Sequence, residues 1–453
     1  MSAKISQYRK IQWLYIAIDA LAAATVWVLF LGYRWLVYDG RITIFSEVLV
    51  PAFSLWRSLL LYPFGCLLIY YLSGYYIRPL QHKVGEEFLT TFVSAVIISL
   101  SAFFIIIIDD TAETYKRYYF SLLILFGIQL FASWLPRLVI TLLVQHFAGK
   151  AYGTAIVGDE REAAKLMPQL HDRQSVVVIS PSEFDNFHEI KHEKQIQEVI
   201  IALGKRAGKK TLYRYINRLY PEHVEISFPA RVYDMLTGAA RISNLADEPF
   251  VTVTLPNMPD WQLCVKRAFD VVMSAAALVI LSPLMAYIAV SIKATSKGPV
   301  IYRQERIGMY GVPFQILKFR TMVENAETES PQLTAENDPR ITSVGHRLRK
   351  YRLDEIPQFW NILRGDMSIV GPRPERRYYI DCITEAAPYY CLLYKIRPGL
   401  TSWGPIRVGY TDNMPKMIRR LNYDLVYVEN MSIGLDLKIL FYTVGVIAEG
   451  RGR

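Results

Sequence analysis

Cysteine is scarce in this chain and carries no pattern. Cys66, Cys264, Cys382 and Cys391 form no CxxC pair and no zinc spacing, which excludes a disulfide framework and leaves four reduced thiols. A complete phosphate-binding glycine loop is also missing. "YGTAIVGD" (152–159) supplies Gly153 and Gly158, but Ala155 fills the second glycine position of G-x-G-x-x-G. A Cβ there hinders close approach of a pyrophosphate, so the segment reads as structural or regulatory rather than as a dinucleotide site. There is no internal repeat and no low-complexity tract. No nucleic-acid recognition motif accompanies the basic charge. Charged residues make up 20% of the chain against 52% apolar, with a mean hydropathy of +0.19. That balance excludes an all-soluble enzyme and an all-membrane protein alike, and points to membrane spans attached to a water-facing part.

At 453 residues the chain has room for two or three domains. Four apolar stretches, roughly 11–32, 53–76, 89–108 and 119–143, each approach the ~20 residues that cross a hydrocarbon core. The first is too long for a cleaved signal peptide and is followed by no small-residue cleavage site. Lys4, Arg9 and Lys10 precede it, Arg78 and Lys83 sit between the second and third, and Lys150 follows the fourth. Asp109, Asp110 and Glu113 mark the opposite side, beside Lys116 and Arg117. The N-terminus and everything after the fourth span are therefore expected on the cytoplasmic face. Asp19 and Arg57 fall within or near spans and are expected to pair or snorkel rather than line a transport path.

From about 150 to 255 the pattern changes. Short buried-strand runs, "SVVVIS" (175–180) and "EVIIAL" (198–203), alternate with polar helical sequence. This predicts a small α/β domain on a parallel sheet. The run "VKRAFDVVMSAAALVILSPLMAYIAVSIKATSKGP" (265–299) is long enough to span but is interrupted at Ser282-Pro283, where a proline predicts a break. Lys266 and Arg267 before it and Lys293, Lys297, Arg303 and Arg306 after it place both ends on the cytoplasmic face. A helix that enters and leaves by one leaflet fits these flanks better than a fifth span. Residues 261–453 carry 26 Lys+Arg against 18 Asp+Glu, so most of the excess charge lies there.

Three islands in this last segment combine cations with acids or turn formers: "LKFRTM" (317–322), "LRKYRLDEIPQ" (348–358) and "GDMSIVGPRPE" (365–375). Asp354 and Glu355 are adjacent, so on a helix they point about 100° apart and cannot share one face, but they can border one pocket. One can attack phosphorus while the other ligates Mg²⁺, a hard cation that prefers oxygen. Arg349 and Arg352 favour ionised carboxylates and offset phosphate charge. Pro372 and Pro374 stiffen the loop that presents Arg373, whose planar fork suits phosphate. His346 has no evident partner. The bare acid pair alone would read as an ordinary solvated helix start, and the loop alone as a surface turn. Their co-occurrence is what weighs.

In order and content these islands resemble the bacterial sugar transferases, monotopic phosphoglycosyl transferases that load a hexose-1-phosphate onto a polyprenyl phosphate. The resemblance runs from "KRAFDVV" (266–272) and "LSPL" (281–284) through "GPVIYRQERIGMYGVPFQILKFRTM" (298–322) and "NDPRITSVGHRLRKYRLDEIPQFWNILRGDMSIVGPRPE" (337–375). It continues through "RPGLTSWGPI" (397–406) to "YVENMSIGLDLKIL" (427–440), essentially all of 261–453. The spans and the α/β segment are similar to its long, membrane-anchored subgroup.

The resemblance implies a fold of three parts: a four-helix transmembrane bundle (1–148), a Rossmann-like α/β domain (149–256) and an α-rich catalytic domain (257–453) with a Pro-broken re-entrant helix at about 265–295. It implies Asp354 as the nucleophile on a UDP-sugar and Glu355 as the Mg²⁺ ligand. Arg349, Arg373, Lys318 and Arg320 would be phosphate contacts, and Ser282 and Pro283 the helix break. Undecaprenyl phosphate would be the acceptor and UMP the leaving group, at the bacterial inner membrane. "SWGPIRVGYTDNMPKM" (402–417) departs from the pattern of members with certain sugars, and glucose or galactose is the first expectation. The α/β domain offers a surface for a homodimer. The reading of another class is a non-catalytic scaffold or regulator of polysaccharide assembly.

Overall fold

The structure is a computed structural model. It describes residues 2–37, 55–77, 84–109, 115–148, 153–167, 176–204, 208–229, 250–253, 256–323, 338–409 and 413–448. The flanking charges Arg78, Lys83, Asp110, Glu113 and Lys150, the side chain of Arg57, and most of the polar segment 322–340 lie outside the described residues. Two compact units emerge, one from 1–151 with 259–265 and the other from 152–258 with 266–453.

Long apolar sequence folds into helices because a backbone out of water must satisfy its hydrogen bonds internally. The first unit contains α1 (Ser2–Val37), α2 (Leu55–Leu72), α3 (Val84–Asp109) and α4 (Tyr115–Ala148). Three of them, over Lys10–Arg34, Glu87–Ile105 and Tyr119–Val144, are long and apolar enough to cross a bilayer; the apolar stretch of α2, Ser58–Leu72, is shorter. Tyr15, Cys66, Tyr70, Ile98 and Ile140 share one buried cluster drawn from all four helices. Inside lies a polar centre. Arg137 donates from Nε and Nη2 to Asp19 at 2.8 Å each and from Nη1 to Thr91 at 2.9 Å. Its guanidinium lies 3.9 Å from the ring centroids of both Tyr70 and Tyr75. Tyr76 donates to Asp19, and Tyr75 donates to a second buried acid, Glu87, which the sequence did not single out. Asp19 is thus paired, as expected.

The second unit opens on a five-stranded sheet of order β2-β1-β3-β4-β5. Its strands are β1 (Gly153–Gly158), β2 (Val176–Ile179), β3 (Ile196–Ala202), β4 (Glu225–Pro229) and β5 (Phe250–Thr252). The first four run parallel and β5 antiparallel. Its helices are α5 (Glu160–Leu166), α6 (Phe187–Glu193) and α7 (Lys209–Leu219). Gly158 has φ +136°, and a Cβ there would lie 2.1 Å from the Ala202 carbonyl oxygen. The glycine therefore serves the close passage of β1 and β3. Asp159 caps α5 by accepting from the Arg161 N–H, an acidic start that suits helix capping and opposes phosphate.

The remainder is helix-rich. Helices α8 (Asp260–Ile280) and α9 (Ser282–Thr295) meet at Leu281 with a 60° bend. Pro283 sits in the first turn of α9, where its missing N–H costs nothing, and Ser282 donates to the Val279 carbonyl at 2.7 Å. Val279, Ile280, Tyr287 and Val290 around the bend are exposed. The hairpin β6 (Ile301–Ile307) and β7 (Pro313–Phe319) is antiparallel, and β8 (Ser368–Val370) pairs in parallel with β9 (Gly399–Thr401). Around them lie α10 (Ser343–Lys350), α11 (Gln358–Arg364), α12 (Arg377–Ala386), α13 (Trp403–Val408), α14 (Met414–Glu429) and α15 (Ile433–Ala448).

Polar pins fix α8. Lys266 donates to Asp436 (2.6 Å) and the Val370 carbonyl (2.9 Å), and Arg267 donates to the Ile362 (2.7 Å) and Leu363 (3.0 Å) carbonyls. Asp270 accepts from Ser368 (2.7 Å) and the Ile369 N–H (3.0 Å).

Removing one member of a buried ion pair leaves the other charge unpaired, which costs about 3–5 kcal/mol. Arg137→Leu is expected to lower stability in detergent by about that amount, and Asp19→Leu/Arg137→Leu to recover much of it. Thermal unfolding of the three proteins checks this; equal losses in the single and double variants would contradict it.

Candidate active site

Three elements converge on Glu355. The dyad sits on a single 3₁₀ turn, Leu353–Glu355, entered through Arg352 in the left-handed region (φ 53°, ψ 25°). Arg352 N donates to the Arg349 carbonyl and Glu355 N to the Arg352 carbonyl, so the chain reverses tightly between α10 and α11. Ile288 and Ile292 of α9, Phe319 of β7, Leu348 of α10 and Ile356 form one apolar cluster with the turn. Burying both acids while keeping their heads polar requires partners, and β7 and the loop after β8 supply them.

Lys318 Nζ lies 3.1 Å from Glu355 Oε1, and Arg373 Nη2 approaches the same oxygen at 3.4 Å. Arg352 Nη1 reaches Oε2 at 3.5 Å. Both carboxylates are buried, each residue 8% exposed. Burial alone would raise Glu355, but Lys318, Arg373 and Arg352 outweigh it and hold this carboxyl well below the usual range. Asp354 goes the other way. Burial, helped by the neighbouring Glu355 charge, pushes it up to about 6, although Lys318 and Arg349 pull it down. Burial depresses Lys318 below an ordinary lysine, opposed by Glu355. Burial penalises Arg373 too, but Glu355, together with Glu375 and Asp354, outweighs it and raises the guanidinium above its ordinary value. Two adjacent acids are thus driven apart, one firmly anionic and one poised near neutrality, a pattern typical of functional sites.

Of the residues expected at the site, Lys318, Arg373, Asp354 and Glu355 come together. Arg349 acts on Asp354 through its charge, while its Nε donates to Thr321 at 2.9 Å. Arg320 is placed elsewhere in its contacts: Nη2 donates to the Ser296 carbonyl and hydroxyl, both at 2.9 Å, at the end of α9. Ser282 and Pro283 lie at the helix break.

The loop carrying Arg373 is built by residues that the islands did not single out for a role. Gly371 passes so close to the next segment that a Cβ would lie 2.5 Å from the Arg397 carbonyl oxygen. Glu375 receives Arg306 at 3.4 Å and is also bound by Arg420. Asp424 accepts from Ser402 and, at 2.8 Å, from the Gly404 N–H. Burial raises Asp424, while Ser402 and the backbone N–H groups of Gly404 and Arg373 hold it down. These acids lie beyond or at the edge of the islands, and their signal is only their burial, which sequence does not display.

The profile of the bacterial sugar transferase family matches residues 261–450. The exopolysaccharide production protein PSS of Rhizobium leguminosarum bv. phaseoli is 39% identical over 197 residues, covering 42% of this chain and 98% of that one. The chain belongs to the bacterial sugar transferase family. It is also 42% identical over 252 residues to a UDP-glucose:undecaprenyl-phosphate glucose-1-phosphate transferase of Escherichia coli (strain K12), covering 55% of this chain and 54% of that protein. A UDP-N-acetylgalactosamine-undecaprenyl-phosphate N-acetylgalactosaminephosphotransferase of Aeromonas hydrophila is 36% identical over 239 residues, covering 53% and 56%. The chain thus spans about half the length of these last two relatives.

Asp424→Ala strips the acceptor from Ser402 and the Gly404 N–H. Buried donors left without acceptors cost about 1–3 kcal/mol each. The variant is therefore expected to lose about 2–4 kcal/mol, read as a fall in the denaturation midpoint, whereas Asp424→Asn, which keeps one acceptor oxygen, loses less.

Proposed function

We propose that the chain transfers a hexose-1-phosphate from a UDP-sugar to undecaprenyl phosphate, giving undecaprenyl-diphosphate-sugar and UMP, as the first step of exopolysaccharide, capsule or O-antigen assembly. The observation that carries this reading is the buried Asp354–Glu355 pair set against Lys318, Arg349, Arg352 and Arg373. Such a site accommodates a nucleophilic carboxylate and phosphate charge together. Relatives named for the same reaction with glucose and with N-acetylgalactosamine support it. Glucose and galactose are the first donors to test.

In the proposed course, an Asp354 carboxylate oxygen attacks the sugar-bearing phosphorus. The bond to the UMP oxygen breaks, and UMP departs with the bonding pair. The resulting aspartyl phosphosugar is attacked by a phosphate oxygen of undecaprenyl phosphate, which breaks the Asp–O–P bond and restores the carboxylate. The kinetics are ping-pong. Lys318, Arg349 and Arg373 offset the anionic repulsion of nucleophile and phosphate. Glu355 is the residue to hold Mg²⁺. Among the described residues no cluster of three or more His, Cys, Asp or Glu could hold a metal. Glu355, whose oxygens face Lys318, Arg373 and Arg352 in this structure, would supply one oxygen ligand, and substrate phosphates and water would complete the shell in the usual mode for Mg²⁺. When bound, the ion supplies charge neutralisation on the diphosphate.

The proposal extends to placement. Residues 1–148 form a transmembrane four-helix bundle and 149–256 a Rossmann-like domain that offers a homodimer surface. The catalytic domain (257–453) lies on the cytoplasmic face of the bacterial inner membrane. The 60° bend and the exposed apolar residues around Leu281 support a re-entrant α8–α9 pair, which would keep the dyad within reach of a lipid phosphate.

With Mg²⁺, undecaprenyl phosphate and a panel of UDP-sugars, the purified protein is expected to release UMP with at least one sugar. Asp354→Asn is expected to lower that rate by about three orders of magnitude or more. A folded protein that releases no UMP with any donor would favour the scaffold reading.

The pH profile follows from Asp354. Attack requires the carboxylate, which a raised pKa confines to the region above about 6. The acidic limb of kcat/KM for the UDP-sugar should therefore rise through about pH 6 and level off above it. Lys318 favours the ionised form, so Lys318→Met should move the limb to higher pH. A limb that stays put or moves down would contradict this electrostatic account.

A further inference from the structure

Among the described residues from 266 onward, buried side-chain polar atoms without a partner are few: Ser274 Oγ on α8 and a handful of nitrogens. The nitrogens are Nε and Nη1 of Arg320, Nε of Arg352 and Nε2 of Gln358. The last two bracket the dyad in the chain, two residues before Asp354 and three after Glu355. Gln358 is 2% exposed. A buried N–H left without an acceptor bears the whole cost of its desolvation.

Arg352 bears a second cost. Its φ of 53° is a left-handed conformation that a residue with a Cβ adopts under strain. Its grip on Glu355 is the longest of the three, 3.5 Å from Nη1 to Oε2, whereas Lys318 and Arg373 share Oε1. The guanidinium is thus held near the dyad by one corner, and its Nε edge is unspent. Two unfavourable features on one residue beside two reactive-type acids call for a compensating contact. The orphan nitrogens are all donors, and the arginine is cationic, so the missing partner is rich in acceptors and negatively charged. Phosphoryl oxygens meet both conditions, and a guanidinium edge matches them in the plane.

We propose that Arg352 and Gln358 are substrate-binding residues that donate Nε–H and Nε2–H to phosphoryl oxygens beside Asp354. The proposal rests on the transferase reading above. Those oxygens belong either to the nucleotide diphosphate or to the lipid phosphate, and the test separates the two.

The experiment uses the full chain in detergent. Wild type, Gln358→Leu, Arg352→Asn and Arg352→Lys are compared in three measurements: calorimetric binding of UDP, KM for the UDP-sugar and for undecaprenyl phosphate, and Tm. Asparagine tolerates the left-handed backbone, so it removes the guanidinium without adding strain. Replacing a buried orphan amide by an apolar side chain of similar size is neutral or stabilising if the amide is only structural. Gln358→Leu is therefore expected to keep or raise Tm while weakening one phosphate substrate about tenfold, and Arg352→Asn to weaken the same substrate by at least as much. Lysine should restore part of that loss, because it returns the charge without the planar edge. Weakened UDP binding assigns the contact to the nucleotide, and a raised KM for undecaprenyl phosphate alone assigns it to the lipid. Wild-type UDP binding and UMP release, with both substrates within twofold of wild type in Gln358→Leu and Arg352→Asn, would overturn the proposal and leave the transferase reading intact. No UDP binding and no UMP release by wild type would remove the reading and the proposal together.

Discussion

The Glu355 carboxylate is the hub of the C-terminal module. Three cations from three segments meet on its two oxygens: Lys318 from β7, Arg373 from the loop after β8, and Arg352 from the turn itself. Glu355 is buried, and a buried carboxylate charge is not tolerable alone. The acid justifies the cations, and the cations keep the acid ionised. The same cluster leaves Asp354 nearby with less compensation, so burial dominates there and its pKa rises. One electrostatic arrangement therefore produces both halves of the site, a fixed anion and a poised one.

Holding that cluster requires rigid supports, and the supports are polar. Arg373 is held by a loop in which Gly371 abuts the 397–399 segment, Glu375 takes Arg306 and Arg420, and Asp424 gathers Ser402 and the Gly404 N–H. Each of these acids is buried and well partnered. Loss of one partner leaves a desolvated group, so the loop has few alternative conformations. Lys318 is fixed differently, by the antiparallel register of β6 and β7, where it stands opposite Tyr302. Position in a ladder sets one cation, and a side-chain network sets the other.

How much of this the sequence disclosed depended on the length scale of the signal. Apolar runs of span length, the strands around 153–158 and 196–202, and the break at Ser282-Pro283 are local patterns, and they were legible. So were Lys318, Asp354, Glu355 and Arg373, because they fall in dense islands. Arg320 shows the limit of that approach. It stands two residues from Lys318 in the same island, yet its guanidinium is tied to Ser296 at the end of α9. Arg137 and Glu87 were hidden for a related reason: a single charge in an apolar helix does not announce which distant helix carries its partner. Asp424 and Glu375 are ordinary acids in sequence, and their importance lies in burial and in contacts spanning tens of residues. Gly158 looked like the remnant of a phosphate loop, but the close approach of Ala202 accounts for it without a ligand.

The broken helix pair ties the apolar part of the module to its chemistry. Ile288 and Ile292 of α9 pack with Phe319, Leu348 and Ile356, residues adjoining Lys318, Arg349 and Glu355 respectively. Arg320, one residue past the strand that carries Lys318, fastens the end of the same helix. On the other arm, Arg267 caps the carbonyls at the end of α11, the helix that follows the dyad turn, and Asp270 grips the start of β8, which leads to Arg373. Each arm of the bend is therefore pinned to a different segment of the site. The two arms thus reach the site through separate contacts, and the 60° bend between them falls where Pro283 disfavours a continuous helix through Leu281.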